Sequence, residues 1–511
     1  MNLSRISSAF LFSIAIGSIT ACGGASSDAP SDGGAGTSGS AGTTGGAGTT
    51  GGAGTTGGAG TTGGAGTTGG AGTTGGAGTT GAAGSTGAAG TAGSTVPLTQ
   101  RTPKGTMTCQ LGRGRTDHSP RSWNAPPALV ATSGGTTFLV RPESMPTQPA
   151  VPAAPQLLAS SFAVAGTFGT PTVVPSTPAD VGAVAAAPRG TGFAAVWAEG
   201  TALRFAAFDA AGAVTVAPKT IATGIDALYS TVPAIAAGPD GGFGVVYSTN
   251  TGGDKRDARL IVLTADGAVR TASRALNDAA GLQALVTPAP AIVSDANGYA
   301  MIWRSPNDAR GGIDFTKTDA AGVETVARKR ISVTNTQGIV VGGTAGFDHA
   351  AHALLAVDGG YIAAWSEVNQ GANFGSGASS EVRIVRLNAT GVATAAPVPV
   401  RPRTVDVDEV EPVLVKVGNA AAIAWGRGSH IYICGGCVPD HRIDVLPIDP
   451  NDLTPLGPLV SLTNGATAGT QAGGLLRKRI VTVGNTLLTA YMLTFHVHAT
   501  PGSATFTCAA P

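Results

Sequence analysis

Residues 290–303 read PAIVSDANGYAMIW. An apolar run leads into Asp295-Ala-Asn297-Gly298, and a second apolar run ends on Trp303. Two short hydrophobic runs joined by an Asn-Gly turn spell a β-hairpin, because both turn residues tolerate the positive φ that such turns need. The unit recurs as AVAAAPRGTGFAAVW to Trp197, PAIAAGPDGGFGVVY to Tyr247 and ALLAVDGGYIAAW to Trp365. PVLVKVGNAAAIAW to Trp425 and KRIVTVGNTLLTAY to Tyr491 continue it. One further copy, PALVATSGGTTFLVR, opens the series and ends on Arg141 in place of an aromatic. End points lie 50 residues apart between Trp197 and Tyr247 and 66 apart between Trp425 and Tyr491. A period this long marks a repeat architecture.

After each aromatic comes a variable loop, then another strand and turn, as in ARLIVLTADGAV, GIDFTKTDAAGV and EVRIVRLNATGV. Each repeat therefore holds three or four strands, an apolar hairpin followed by a less apolar one. This pattern resembles one blade of a β-propeller. The aromatic–loop–strand–Asp-x-x-Gly unit is similar to the propeller repeats of many secreted bacterial proteins. The resemblance implies an all-β chain folded as a β-propeller of seven blades. Six or eight blades, or tandem β-sandwiches, are the alternatives. The blade-end aromatics are expected to pack between sheets and not to touch a ligand.

The segment before the repeats has a different character. Six perfect copies of GGAGTT fill residues 45–80, and every third residue from Gly33 to Gly93 is glycine. Collagen shares that period, since only glycine fits at the axis of a triple helix. Collagen also needs proline, and none occurs between Asp32 and Val96. Ordering such a chain costs roughly 1–2 kcal/mol per residue with no apolar burial to offset it. The segment is expected to be a flexible tether with a root-mean-square span of roughly 45–50 Å. A trimeric collagen-like stalk is the alternative.

The first 22 residues, MNLSRISSAFLFSIAIGSITAC, place one cation, Arg5, before an apolar run too short to span a bilayer comfortably. Ile19-Thr20-Ala21-Cys22 resembles the lipobox of bacterial lipoproteins. The resemblance implies lipidation of Cys22, which becomes the mature N-terminus, and anchoring in the cell envelope. Gly23 stands where an aspartate would favour the inner membrane, which points to the outer membrane, facing the periplasm or the cell surface. An ordinary secretory signal with a chance cysteine is the other reading. The domain plan is a signal peptide at 1–21, a lipidated cysteine and tether at 22–100, and the propeller at 101–511.

The chain has 511 residues, 12% of them charged, with a net charge of +1. That balance gives no electrostatic case for nucleic acid. Five cysteines occur, at Cys22, Cys109, Cys434, Cys437 and Cys508. Setting Cys22 aside leaves an even number in an oxidising compartment. Cys109 lies in GTMTCQL at the start of the fold and Cys508 in SATFTC at its end. The last repeat has no chain left for a fourth strand, and GTMTCQL can supply it beside SATFTC. The two cysteines then bond if they fall opposite each other.

Cys434-Gly-Gly-Cys437 then pairs locally as a structural disulfide, acts as a redox pair, or joins His430 and His441 in a zinc site. Zinc needs free thiolates, which the envelope disfavours, so no cofactor is expected beyond this one metal candidate. Each strand-to-strand path of a propeller sends two of its four connections to one face. His118, His349, His352, His430, His441, His496 and His498 all map near that face, as do the longest insertions. Long loops attract histidines, so the clustering has an ordinary reading beside a ligand-surface one. No Gly-x-Ser-x-Gly elbow and no phosphate-cradling loop is present. The sequence therefore points to a monomeric, lipid-anchored binding protein for a glycan, an envelope polymer or a protein. A hydrolase or lyase acting on the histidine-bearing face is the rival, and a structural protein on a trimeric stalk is the third reading.

Overall fold

A computed structural model describes residues 96–112, 122–123, 127–144, 146–147, 151–152, 156–162, 169–175, 181–225, 233–252, 255–276, 290–305, 312–332, 352–369, 379–404, 407–429, 442–463, 474–495 and 498–509. The expectations for the signal sequence, Cys22, the Gly33–Gly93 repeat and the His430–His441 run fall outside these residues. Among the described residues the one helical element is a single turn, Leu98–Gln100.

The quoted hairpin forms, but its turn sits one residue earlier than read: Asp295 pairs with Gly298, so Ala296 and Asn297 fill the loop, and the positive φ falls on Gly298 (+143°) and not on Asn297. Ala291–Asp295 pairs antiparallel with Gly298–Ser305, that strand with Gly312–Asp319, and that with Glu324–Arg330. Six other sheets repeat this meander. Their inner strands are Ala128–Ala131, Val181–Arg189, Ala234–Ala237, His352–Val357, Val407–Val417 and Gly474–Val483. Each inner strand contacts the next one around the chain, and Gly474–Val483 contacts Ala128–Ala131. The inner strands thus form a closed ring, and the protein is a seven-bladed β-propeller. Blades are numbered here from Ala128.

The core is correspondingly divided. Seven apolar clusters occur, each at one seam between neighbouring blades. A sheet buried on both faces must pack onto a neighbour on each side, which a ring of sheets achieves without an open end. Trp197, Trp303, Trp365 and Trp425 are at most 1% exposed, and Tyr247 is also buried. Each packs back on the preceding blade, Trp425 for example joining Ile362, Ile384 and Val400 of blade five. These five blade-end aromatics are packing residues, as expected, and the side chain of Tyr491 lies outside the described residues.

The ring closes as the cysteines suggest. Thr108–Leu111 is the outer strand of blade seven, paired with His498–Ala509 in a register that sets Cys109 opposite Cys508. Their sulfurs are bonded at 2.06 Å. Sequence reading missed what precedes this strand. Leu98 is fully buried at the seam of blades five and six, and the Thr99 N–H donates to the Val400 carbonyl at 2.9 Å. Lys104 pairs with Asp449 and Asp452, and the Met107 N–H donates to the Leu456 carbonyl. Residues 96–107 therefore strap the outer side of blade six before entering blade seven. The fold reaches back to Leu98, which the sequence places in the tether. Blade one adds a second departure. Its inner line is broken, with Ser122–Trp123 and Ala128–Ala131 pairing separately on Thr137–Ser144.

Candidate functional site

The meander gives each blade two unlike ends. Turns between first and second strands and between third and fourth strands share one end. At this tight-turn end the Asp-x-x-Gly units fold identically. Asp319 Oδ1 accepts the N–H groups of Ala321 and Val323 at 2.9 and 2.8 Å, and Gly322 takes φ +84°. Asp209 and Asn388 do the same in blades two and five. The glycine is required twice over, since a Cβ on Gly391 would also strike the Phe315 ring of the preceding blade. Asp295 adds a cross-seam contact here, accepting from Lys317 Nζ at 2.6 Å and Tyr361 Oη at 2.5 Å. Burial works against the Asp295 carboxylate, but Lys317 and Tyr361 hold it below the usual range.

The other end carries the second-to-third-strand loops and the blade-to-blade connections. Here the register places a charged residue directly across from the blade-end aromatics of blades two to six, while Tyr491 of blade seven faces Gly502. Trp197 faces Arg204, Tyr247 faces Arg259, and Trp365 faces Arg383. In blades four and six the sign is reversed, with Trp303 facing Asp314 and Trp425 facing Asp444. An opposite charge pins each one. Arg204 meets Glu199 at 3.6 Å, and Glu199 accepts from Trp197 Nε1 at 3.2 Å. Arg383 meets Glu367 and Glu381, each at 2.6 Å. Asp314 meets Arg330 at 2.7 Å and Arg328 at 3.3 Å. Burial pushes the Glu367 carboxyl up, and Arg383 and Trp365 pull against it.

The seam between blades five and six holds the densest group. Glu409 is the third residue of the inner strand of blade six and is 4% exposed. Its N–H donates to Ser380 Oγ at 2.9 Å, and Ser380 Oγ donates to its carbonyl at 3.0 Å. Its Oε2 accepts the Val382 N–H at 3.3 Å, and its Oε1 lies 3.5 Å from Arg401 Nε. Arg401 Nη1 also lies 3.6 Å from Asp444 Oδ2, while Asp444 Oδ1 accepts from Ser461 Oγ at 2.5 Å. Burial raises the Glu409 carboxyl to about 7, against the pull of the Val382 N–H and Arg401. Glu411 close by takes φ +52°, beside a register shift between Val410 and Val413. Bulges that re-aim a strand cluster near functional ends of sheets.

Of the histidines proposed for this face, His352 is described. It opens the inner strand of blade five at the loop-bearing end and is nearly buried. His498 opens the third strand of blade seven, beside the loop-bearing turn. His118, His349, His430, His441, His496, Cys434 and Cys437 lie outside the described residues. Among the described residues no group of three His, Cys, Asp or Glu side chains could hold a metal ion. Sequence reading missed the ion-pair row. A signal was there: Trp197-Ala-Glu199, Trp365-Ser-Glu367 and Trp425-Gly-Arg427 each set a charge two residues past the aromatic.

No protein-family model matches the chain, and no curated protein matches its sequence. Solved structures share the shape at very low identity. The polysaccharide lyase Uly1 is 8% identical with a TM-score of 0.45, over 78% of this chain and 99% of that one. An α-L-arabinanase of Penicillium chrysogenum is 10% identical with a TM-score of 0.38, over 78% of this chain and 98% of that one. A protein of unknown function from Dyadobacter fermentans is 9% identical with a TM-score of 0.41, over 78% and 99%. At this distance the likeness is one of shape and carries no activity from those proteins to this chain.

Proposed function

We propose that the chain is a lipid-anchored envelope protein that holds its propeller out on the Gly33–Gly93 tether as a binding module. Its partner is a glycan, an envelope polymer or a protein, met at the loop-bearing end. The observation that supports this is the ion-pair row. The Arg204, Arg383 and Asp314 groups each engage a carboxylate or guanidinium of their own blade. Those charges fix the stems of the long connections and are committed to structure. Rigid stems under variable loops are the arrangement on which binding surfaces are built.

A hydrolase or lyase on the same end is the second reading, favoured by Glu409. A carboxyl titrating near 7 has the value that a general acid needs. Against it, both Glu409 oxygens face blade five and Arg401 inside the seam. A panel of glycans and envelope polymers incubated with the full chain tests both readings at once. Retention without chain shortening or new unsaturated ends supports binding. Product release abolished by Glu409→Gln would replace it with catalysis. Anchoring rests on Cys22, and Cys22→Ala is expected to release the chain from membranes. A solution mass of one chain is expected, and a trimer would favour the stalk.

A further inference from the structure

At the blade five–six seam the guanidinium groups outnumber the carboxylates. Glu409, Arg427 and Arg442 stand in one cross-strand row, with Arg427 directly opposite both others. Two like charges facing each other across neighbouring strands are destabilising, and folded sheets ordinarily avoid the pairing. Asp444, two residues along from Arg442, lies on the same face, and Arg401 reaches in from blade five. The group thus has three guanidinium groups against two carboxylates. Both carboxylates engage Arg401, at 3.5 and 3.6 Å. Arg442 has a contact of its own. Arg427 has no hydrogen bond or ion pair among the described residues, and it is partly open to solvent. Burial, then Arg401 and Arg442, lower the Arg427 pKa, which places the three cations within mutual repulsion. Elsewhere on this end, Arg204, Arg259, Arg328, Arg330 and Arg383 each meet a carboxylate within 3.6 Å.

We infer that Arg427, backed by Arg442, is the docking point for a singly charged oxyanion, a carboxylate or a sulfate ester, carried by the polymer that the propeller binds. The inference deepens the binding reading and rests on it. Once Glu409 is ionised, above about pH 7, the group of Arg401, Arg427, Arg442, Glu409 and Asp444 carries one surplus positive charge, which one negative charge balances. That favours a carboxylate or sulfate ester over a phosphate, which carries about −1.5 to −2. The guanidinium fork offers two parallel N–H donors to such a group. An anion there also removes the repulsion across the Arg427–Arg442 pair.

Calorimetry on the full chain with oligogalacturonate, its neutral methyl ester, dextran sulfate and inorganic phosphate tests this. The acid or the sulfated polymer is expected to bind, more weakly as salt rises, and the methyl ester at least tenfold more weakly. Arg427→Met is expected to lower that affinity about tenfold or more, and Arg427→Lys by less, since it keeps charge but loses the fork. Arg442→Gln gives a second test should Arg427→Met fail to fold. Binding of dextran sulfate alone, dependent on Arg427, assigns the sulfate source. Equal binding of acid and methyl ester, or an Arg427→Met chain that binds as wild type, overturns the oxyanion site and leaves the binding module standing. Tighter binding of inorganic phosphate than of either monoanion overturns the charge assignment. Failure of every polymer, charged or neutral, overturns the glycan and polymer forms of the binding reading, and this site with them.

Discussion

At the tight-turn end, blades two to six repeat one device with one chemistry. A side-chain oxygen of Asp209, Thr264, Asp319, Asn388 or Asp449 caps the turn that follows it. At the loop-bearing end the same blades repeat a position but not a residue. The partner of the blade-end aromatic is Arg in three blades and Asp in two. A turn has one backbone solution, so its residues are fixed by geometry. A buried charge needs only an opposite charge within reach, so its sign can invert when the partner inverts with it. The first end holds the ring together and the second leaves room for variation above fixed stems.

Four measurements would break or sharpen this contrast. The Cys109–Cys508 bond lies at the tight-turn end, where the Cys508 N–H donates to the Asn485 carbonyl. It closes a loop of 399 residues, worth about 6 kcal/mol in the chain-entropy model as an upper limit. Cys508→Ser is therefore expected to give the largest loss in denaturant titration, with blade seven opening first in hydrogen exchange. A loss below about 1 kcal/mol would mean that the strap, not the disulfide, closes the ring.

Gly391→Ala comes next, at about 2–4 kcal/mol, from the left-handed φ and from collision with Phe315. Removing a single turn is expected to leave polymer binding at the opposite end unchanged, and a parallel loss of both would couple the two ends.

Glu409 gives the loop-bearing end its own pH signature. Its folded value of about 7 lies above the ordinary 4.5, so the folded chain holds the extra proton between these values. Stability from this group is full below about 4.5 and declines as pH rises through 7, by about 3 kcal/mol at most. The groups facing it are Arg401, Arg427 and Asp444, with the Val382 N–H. The Asp295 carboxylate, shifted down, works the opposite way at lower pH, so the comparison is wild type against Glu409→Gln. The variant is expected to lose the decline between pH 5 and 8, and an unchanged profile would remove Glu409 as its source. Smallest of all is Val323→Ser, at a position 63% exposed in the tight turn of blade four. A change within about 0.5 kcal/mol in thermal unfolding is expected, because the turn rests on Asp319 and Gly322.

Blade count, turn positions and ring closure were legible because each rests on local pattern. The Asn-Gly and Asp-x-x-Gly turns are written in consecutive residues, and the cysteines mark the two end strands. The ion-pair row left only a faint mark in the sequence, a charge two residues past Trp197, Trp365 and Trp425, because which residues face each other, as Arg427 faces Glu409 and Arg442, is set only when three strands take their register. Leu98 was missed for another reason. A single leucine beside a low-complexity segment has no period to announce that it is buried. Blade one hid its extra pairing because the repeat copy opens only at Pro127, and Ser122–Trp123, two residues long, has no alternation to mark it as a strand.

The strap has a mechanical meaning. Residues 1–95 join the propeller at Val96, on the outer flank at the seam of blades five and six, and not along its axis. A pull on the chain at Val96 therefore enters the propeller off-centre. The load falls first on the Leu98 socket and the Lys104 clamp on Asp449 and Asp452. Beyond them it meets Thr108–Leu111, whose covalent tie to the last strand stops the ring from unzipping. Force entering at Val96 is thus borne by the flank of the ring and its closing strand, and the loop-bearing ends of the blades lie outside that path.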